Sequence, residues 1–404
     1  MTVTFITNYL THHQLPFAGE MVKRLGEDFC LIVTNVMEEE RIRMGWALDP
    51  HLFDFVIVFD ERPEECKRLV RESDVLICGS THVSYIQERL DARMLTFRYF
   101  ERLYKTGRIH AFSPRGYVRK WQEHTKYRKD PVYLLCAGAY VPADFSLFCS
   151  YPGKMLRWGY FPEFVNYTEE DRKRPARECV EILWTGRMIG WKHAEDAVHA
   201  AMLLKHNGVD FHLTMIGEGD CLRDIKNEVM QNGMGEQITL LPYQFPQEIR
   251  QQMLKSDIYL MTSNFEEGWG AVVNEAMNAG CAVVASAAAG SVPYLLRDGE
   301  NGIVYPWIKD AAERGKCLAN AILLLAKDAD LRQQLGRAAY RTIEEPWNAQ
   351  VAAERFLAFS EAVLSGSGVS YEAGPMSAAE IITPAKGYEY CSGDSRRCKW
   401  RDNT

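Results

Sequence analysis

The chain has 404 residues, 47% of them hydrophobic and 25% charged, with a formal net charge of −7. These figures suit a soluble globular protein of two or three domains and exclude a chain that binds nucleic acid by overall charge. No apolar run reaches the roughly 20 residues that span a bilayer, and the first residues lack the basic start and small-residue cleavage site of a signal peptide. Eleven cysteines are spread singly with no CxxC pair, which fits reduced thiols in a cytoplasmic setting and argues against zinc. The charge is uneven, however. Residues 101–178 carry 15 Lys+Arg against 9 Asp+Glu. That excess reads either as a docking face for anionic lipid or a phosphorylated acceptor, hence a peripheral contact with the inner face of a membrane, or as scattered solvated charge.

Short apolar runs rich in Val, Ile and Phe open the chain. "VTFITN", "FCLIVTN", "FVIVFD" and "DVLICGS" read as buried strands, and "FAGEMVKRLG" between the first two reads as a helix ending at Gly26. Such alternation predicts a parallel sheet covered by helices. A polar stretch, Asn166 to Glu178, reads as a linker, after which the pattern restarts. "CVEILWTGR", a helix over about Ala194–His206, "FHLTMIGEG", "QITLLPY", "IYLMTSN", "CAVVASAA" and "GIVYP" follow in order. The fold expected is α/β, two doubly wound Rossmann-like domains, 1–170 and 179–345, facing a cleft where a ligand would bind. A helix over 346–365 is expected to cross back to the first domain. The polar, Gly/Ser-bearing stretch 366–404 reads as a disordered tail.

Strand ends carry the chemistry. "LWTGRMIGWKH" ends a strand at Gly186-Arg187 and places Lys192 five residues beyond the arginine, near a helix start. Two cations beside free backbone N–H groups suit a phosphate, although a solvated surface carries the same residue types. "MIGEGD" supplies Gly217 and Gly219 without the third glycine of a dinucleotide fingerprint, which disfavours a nicotinamide cofactor. Tyr243 and Gln244 end the next strand in a loop that either stacks a flat base or is an ordinary capped turn.

"NFEEGWGAVVNEAMNAG", Asn264 to Gly280, sets Glu266 and Glu267 before a Gly-Trp-Gly turn and Glu275 after it, with a helix expected from about Ala271 to Gly280. N–H groups from Gly268, Trp269, Gly270 and Ala271 would face a diphosphate. Carboxylates at Glu267 and Glu275 would take hydroxyls of a sugar and a ribose on either side. Glu266 has no such role.

Glu267, seven residues, then Glu275 resembles the E-x7-E motif of retaining glycosyltransferases of the GT-B fold, family 4. "TGRMIGWKH", "MIGEGDCLRDI", "LLPYQFPQEIRQQMLKSDIYLMTS" and "GSVPYLLRDGENGIVYP" resemble further segments of that family in the same order. "CAGAYVPADF" and "KMLRWGYFPE" in the first half are similar to bacterial members of polysaccharide or lipopolysaccharide assembly. The resemblance implies that Arg187 and Lys192 neutralise the donor diphosphate. It further implies that Glu275 holds the ribose, Glu267 contacts the donor sugar, and Gly186, Gly217, Gly219, Gly268 and Gly270 let backbone approach the ligand. It implies a UDP- or GDP-linked donor and no metal or other cofactor. It places His82, beyond a first-half strand, near the reacting sugar, and the first domain against a glycan, lipid-linked or small-molecule acceptor. His12 and His13 end the first strand and would touch donor or acceptor; His124 is read as having no role. Two positions depart from the family: His193 stands where Lys-Gly is common, and Tyr294 where Pro-Glu is common.

The function expected is transfer of a sugar from a nucleotide diphosphate sugar to an acceptor hydroxyl with retention of configuration. A nucleotide-sugar epimerase or phosphorylase on the same fold, and a non-catalytic nucleotide-sugar-binding subunit, are the alternatives.

Overall fold

The computed structural model describes residues 1–35, 48–107, 111, 113–175 and 178–384. The chain forms two compact units, Met1–Glu163 together with Pro346–Ile381, and Phe164–Glu345.

The first unit is built on seven parallel strands in the order β3-β2-β1-β4-β5-β6-β7. They are β1 (Val3–Thr7), β2 (Phe29–Val33), β3 (Val56–Val58), β4 (Val75–Cys78), β5 (Thr96–Phe100), β6 (Val132–Ala137) and β7 (Met155–Trp158). β1 pairs on both sides, Val3 opposite Phe29 and Val3 opposite Val75. Strands buried on both faces read as continuous apolar runs, which is why β1 and β4 were legible. The first helix, Leu15–Leu25, buries Phe17, Ala18 and Met21 and stops at Gly26, whose φ of 57° suits a residue without a Cβ.

The helix Ala349–Leu364 packs against that first helix, within the same unit. Its Phe356 is fully buried, with ring centroids 4.8 Å from Phe97 and 6.1 Å from both Phe17 and Trp158. Burying one such ring contributes roughly 2–3 kcal/mol. The expected disorder from residue 366 does not hold over the first part of the tail. Met376 and Ser377 are buried, and Arg157 N–H donates to the Ser377 carbonyl at 2.7 Å. Ala379 N–H donates to the Met155 carbonyl at 2.9 Å, so the tail covers the open edge of β7. Composition does not reveal such edge pairing. The remainder of that expectation, 385–404, lies outside the described residues.

The second unit has six parallel strands in the order β10-β9-β8-β11-β12-β13. They are β8 (Val180–Thr185), β9 (Phe211–Ile216), β10 (Ile238–Leu241), β11 (Ile258–Met261), β12 (Ala282–Ser286) and β13 (Ile303–Tyr305). Helices Ala194–His206 and Ala311–Lys327 pack together over a core that includes Trp184, Val198, Leu213 and Ile322. The stretch read as a linker is held against this unit. Arg174 donates to the carbonyls of Ser256, Met253 and Ala279 at 3.0, 3.2 and 2.9 Å, and Val165 and Asn278 exchange two hydrogen bonds of 2.9 Å. The Arg174 guanidinium satisfies backbone carbonyls of the second sheet's loops, and the compact unit accordingly begins at Phe164 rather than at 179.

Strand order reverses between β1 and β4 in one unit and between β8 and β11 in the other. The loops leaving the carboxyl ends of those strand pairs are where an open parallel sheet binds ligands. Among the described residues no helix is long and apolar enough to cross a membrane. Cys66, Cys78, Cys136 and Cys281 are free and buried, and burial pushes the Cys66 thiol up to about 12, where it is unreactive.

Candidate active site

β8 and β11 bring Lys192 and Glu267 together. Lys192 lies in a 3₁₀ turn, Gly190–Lys192, seven residues past the end of β8. Its backbone is fixed from below: Trp184 Nε1 donates to Thr262 Oγ1 at 2.8 Å, and that hydroxyl donates to the Lys192 carbonyl at 2.6 Å. Asn264 N–H donates to the Trp191 carbonyl at 2.9 Å, tying the loop after β11 to the loop after β8. Lys192 Nζ then forms an ion pair with Glu267 Oε2, and Ser263 Oγ donates to the same oxygen at 3.0 Å. Both charged side chains are about 15% exposed, enough shielding to strengthen the pair while leaving a face open. Arg187 lies on the same loop, its guanidinium 5.4 Å from the Trp191 ring.

The glycines act through close backbone approach. A Cβ at Gly217 would overlap the Gly186 carbonyl, and Gly217 has φ 145°. A Cβ at Gly290 would overlap the Gly268 carbonyl; Gly290 N–H also donates to the Glu267 carbonyl at 3.3 Å. Four strand-end loops therefore lie backbone to backbone in two pairs, those after β8 and β9 and those after β11 and β12, and Met188 N–H donates to the Glu218 carbonyl at 2.7 Å. Ser263 and Gly290 were not singled out from sequence. Their only signal was position, each standing just past an apolar strand.

The helix Val272–Asn278 follows the turn, and Glu275 lies in its first turn. Its carboxylate is 10% exposed and 3.9 Å from Arg250 Nε. Burial raises its pKa to about 7, with Arg250 opposing that shift. Trp269 meets the turn through its backbone. Its side chain is wholly buried and Nε1 donates to Asn274 Oδ1 at 2.9 Å, so only its backbone faces the loop. Ala271 caps the helix without a side-chain hydrogen bond. Glu266 closes a local turn, its N–H donating to Asn264 Oδ1 at 2.8 Å.

At the end of β10, Tyr243 and exposed Phe245 meet edge to face, 6.0 Å between centroids. Gln244 Oε1 is buried and has no hydrogen-bond partner among the described residues. An unpaired buried acceptor costs about 1–3 kcal/mol, which a donor group from a ligand would recover.

His193 explains the first departure from the family pattern. Its backbone is left-handed, φ 48° and ψ 47°, the conformation glycine adopts freely. Side-chain contacts hold it there: Nδ1 is 2.8 Å from Glu195 Oε1 and 3.3 Å from Arg314 Nη2, and Nε2 is 3.4 Å from Asn264 Nδ2. His193, Glu195 and Asp196 bring metal-type ligand atoms within 4.8 Å of one another. Arg314, however, binds both carboxylate oxygens of Asp196, Nη2–Oδ1 at 2.9 Å and Nε–Oδ2 closer, so this is an ion-pair network. Asp196 is fully buried and Arg314 is 3% exposed. Asp196→Ala strands the guanidinium and is expected to cost roughly 3–5 kcal/mol, read as a lowered denaturant midpoint; an unchanged midpoint contradicts it.

The first unit's candidates sit at its own switch point. His12 and His13 follow β1, their ring centroids 3.8 Å apart, and His13 stacks on Tyr160 at 5.6 Å. His82 follows β4 and is exposed; its Nδ1 accepts from Ser84 N–H at 3.3 Å and lies 2.8 Å from Ser84 Oγ. It thus caps a turn. His124 is a core residue, its Nδ1 2.7 Å from Tyr151 Oη, and burial holds its pKa well below the ordinary value.

Comparison with known proteins bears on the fold and on the family of the second unit. Residues 168–342 match the family described as Glycosyl transferases group 1, so the second unit carries a domain of that family. The chain is 26% identical over 239 residues to alpha-D-kanosaminyltransferase of Streptomyces kanamyceticus, covering 55% of this chain and 58% of that one. It is 26% identical over 203 residues to amylovoran biosynthesis glycosyltransferase AmsK of Erwinia amylovora, covering 49% and 48%. The chain thus spans about half the length of the curated relatives it matches. Among solved structures, HepE of Anabaena in complex with UDP and glucose superposes with a TM-score of 0.61 at 13% identity, over 90% of this chain and 100% of that one. At that identity the likeness shows the fold, two Rossmann-like units of the GT-B type.

Proposed function

We propose that the chain uses its group 1 glycosyltransferase domain to move a sugar from a UDP- or GDP-linked donor to an acceptor hydroxyl, with retention of configuration. The observation that carries this reading is the Lys192–Glu267 pair, set at the switch point of the sheet and flanked by Arg187 and by closely packed glycine loops. Arg187 and Lys192 answer the charge that develops on the diphosphate as the sugar–phosphate bond breaks. Glu275 accepts from the two ribose hydroxyls, and Gln244 Oε1 accepts from a base N–H. Glu267 orients Lys192 and accepts from a hydroxyl of the donor sugar.

The bond from the anomeric carbon to the phosphate oxygen breaks with its electron pair going to the diphosphate. The acceptor oxygen bonds to the same face of the sugar, and its proton passes to the departing phosphate oxygen. Products are the glycoside and the nucleoside diphosphate. Glu267 is poorly suited to act as a covalent nucleophile, because Lys192 and Ser263 already engage Oε2. That favours front-face attack. The two cations do the electrostatic work usually given to a metal ion, and none is included in this scheme.

The first unit, with His12, His13 and His82, takes the acceptor. The acceptor is a glycan, a lipid-linked sugar or a small molecule; one relative is named for amylovoran biosynthesis. Buried free thiols fit a reducing, cytoplasmic setting. The test is a panel of UDP- and GDP-sugars incubated with the protein and sugar acceptors, with the anomeric configuration of the fresh product read by proton NMR. The product is expected to keep the donor's configuration. An inverted product overturns retention, and no transfer or slow donor hydrolysis across the panel overturns the reaction.

A further inference from the structure

A second surface lies on the first unit, on residues that the donor site does not use. The helix Pro114–Glu123, sequence PRGYVRKWQE, buries none of its residues. Pro114, Tyr117, Val118 and Trp121 fall at i, i+3, i+4 and i+7, which is one face of a helix. That face is where a globular helix normally meets its core, yet Tyr117, Val118 and Trp121 are 50%, 54% and 48% exposed. Tyr117 touches Phe148, 5.6 Å between ring centroids, and Leu147 beside it is 39% exposed. The apolar stripe thus continues onto the neighbouring turn.

Cations border the stripe. Arg115 and Arg119 lie along one side of the helix, and over residues 113–130 six Lys/Arg stand against two Asp/Glu. Of those acids, Glu123 faces Arg119 at 3.9 Å and Lys120 at 3.2 Å, while Asp130 lies 3.5 Å from Arg93. Arg115, Arg128 and Lys129 are exposed. Aromatic and aliphatic side chains on one face, with a basic flank, match the pattern of a helix lying in a membrane interface. Trp and Tyr seat at headgroup depth, and Arg attracts anionic lipid within a Debye length.

We infer that the Pro114–Glu123 helix docks the protein on an anionic bilayer surface, inserting Tyr117, Val118 and Trp121 between headgroups while Arg115 and Arg119 contact lipid phosphates. The stripe is short, so docking is reversible and needs both the apolar and the basic signal. The reading is independent of the sugar-transfer chemistry; it concerns where the enzyme works and leaves the donor site untouched.

The experiment is co-sedimentation of the full chain with vesicles of phosphatidylcholine alone and of phosphatidylcholine mixed with phosphatidylglycerol, at low and at physiological salt. The protein is expected to pellet with the mixed vesicles only, and less so as salt rises. Removing one surface cation lowers partitioning roughly fivefold, so Arg115→Gln with Arg119→Gln lowers it about thirtyfold. Tyr117→Ser with Trp121→Ser is expected to abolish pelleting. All four side chains are exposed, so thermal midpoints of both variants stay near that of the parent. A parent protein that remains in the supernatant with mixed vesicles overturns the inference. So does pelleting that neither pair of substitutions weakens. Concentration-dependent self-association lost in Trp121→Ser, without vesicle binding, assigns the face to a second copy of the chain and equally overturns it.

Discussion

Lys192→Ala is expected to lower kcat by about 10²–10³, the scale on which removing one preorganised electrostatic donor acts. The loss should fall mainly on turnover, because the ammonium meets charge that grows as the leaving diphosphate departs. The substitution is clean. The Lys192 backbone stays clamped through Thr262 and Trp184, and Glu267 keeps its hydrogen bond from Ser263. Lys192→Arg should not restore the rate, since a planar fork replaces a compact ammonium facing a single carboxylate oxygen. Steady-state kinetics beside donor affinity separates the two effects. A kcat within about threefold of the parent removes Lys192 from the chemistry.

Glu275→Ala should act on binding instead. A charged acceptor to a hydroxyl is worth roughly 1.5–3 kcal/mol, so losing the ribose contact weakens nucleotide binding at least about tenfold. Its pH dependence has a definite sign. The folded pKa of about 7 lies above the ordinary carboxylate value of 4.5, so the folded protein holds the extra proton. Glu275 therefore adds stability that is full below about pH 4.5 and is lost as pH rises through about 7. A shift of that size corresponds to roughly 3 kcal/mol. Glu275→Gln should flatten this fall across the same window. Ribose prefers the ionised carboxylate, so UDP affinity relative to Glu275→Gln should rise from pH 6 to pH 8. Parallel stability curves for parent and Gln variant across that window contradict the assignment.

How much of this was legible depends on what each signal measures. Apolar runs marked the central strands, because a strand covered on both faces has little use for polar residues. Glycines and cations at strand ends marked the second unit's candidate site, and the spacing of Glu267 and Glu275 placed both on the turn and helix after β11. Long-range pairing was not legible. Nothing near Ser263 announces its bond to Glu267, and nothing in the polar tail announces that Met376 is buried beside β7. The direction of the Trp269 side chain was not legible either, since a Gly-Trp-Gly turn does not say that its indole enters the core. His193 read as a mere departure until its left-handed backbone and its contacts with Glu195 and Arg314 accounted for it.

The claim that organises the rest is that the loops after β8 and β11 bind a nucleoside diphosphate. Calorimetric titration of UDP and of GDP into the parent protein and into the double variant Arg187→Ala, Lys192→Ala tests it directly. The parent should bind one of the two, and the double variant should bind it at least about a hundredfold more weakly, since charge-assisted contacts to phosphate are the strong ones. Parent protein that binds neither nucleotide, or a double variant that binds as the parent does, contradicts the account.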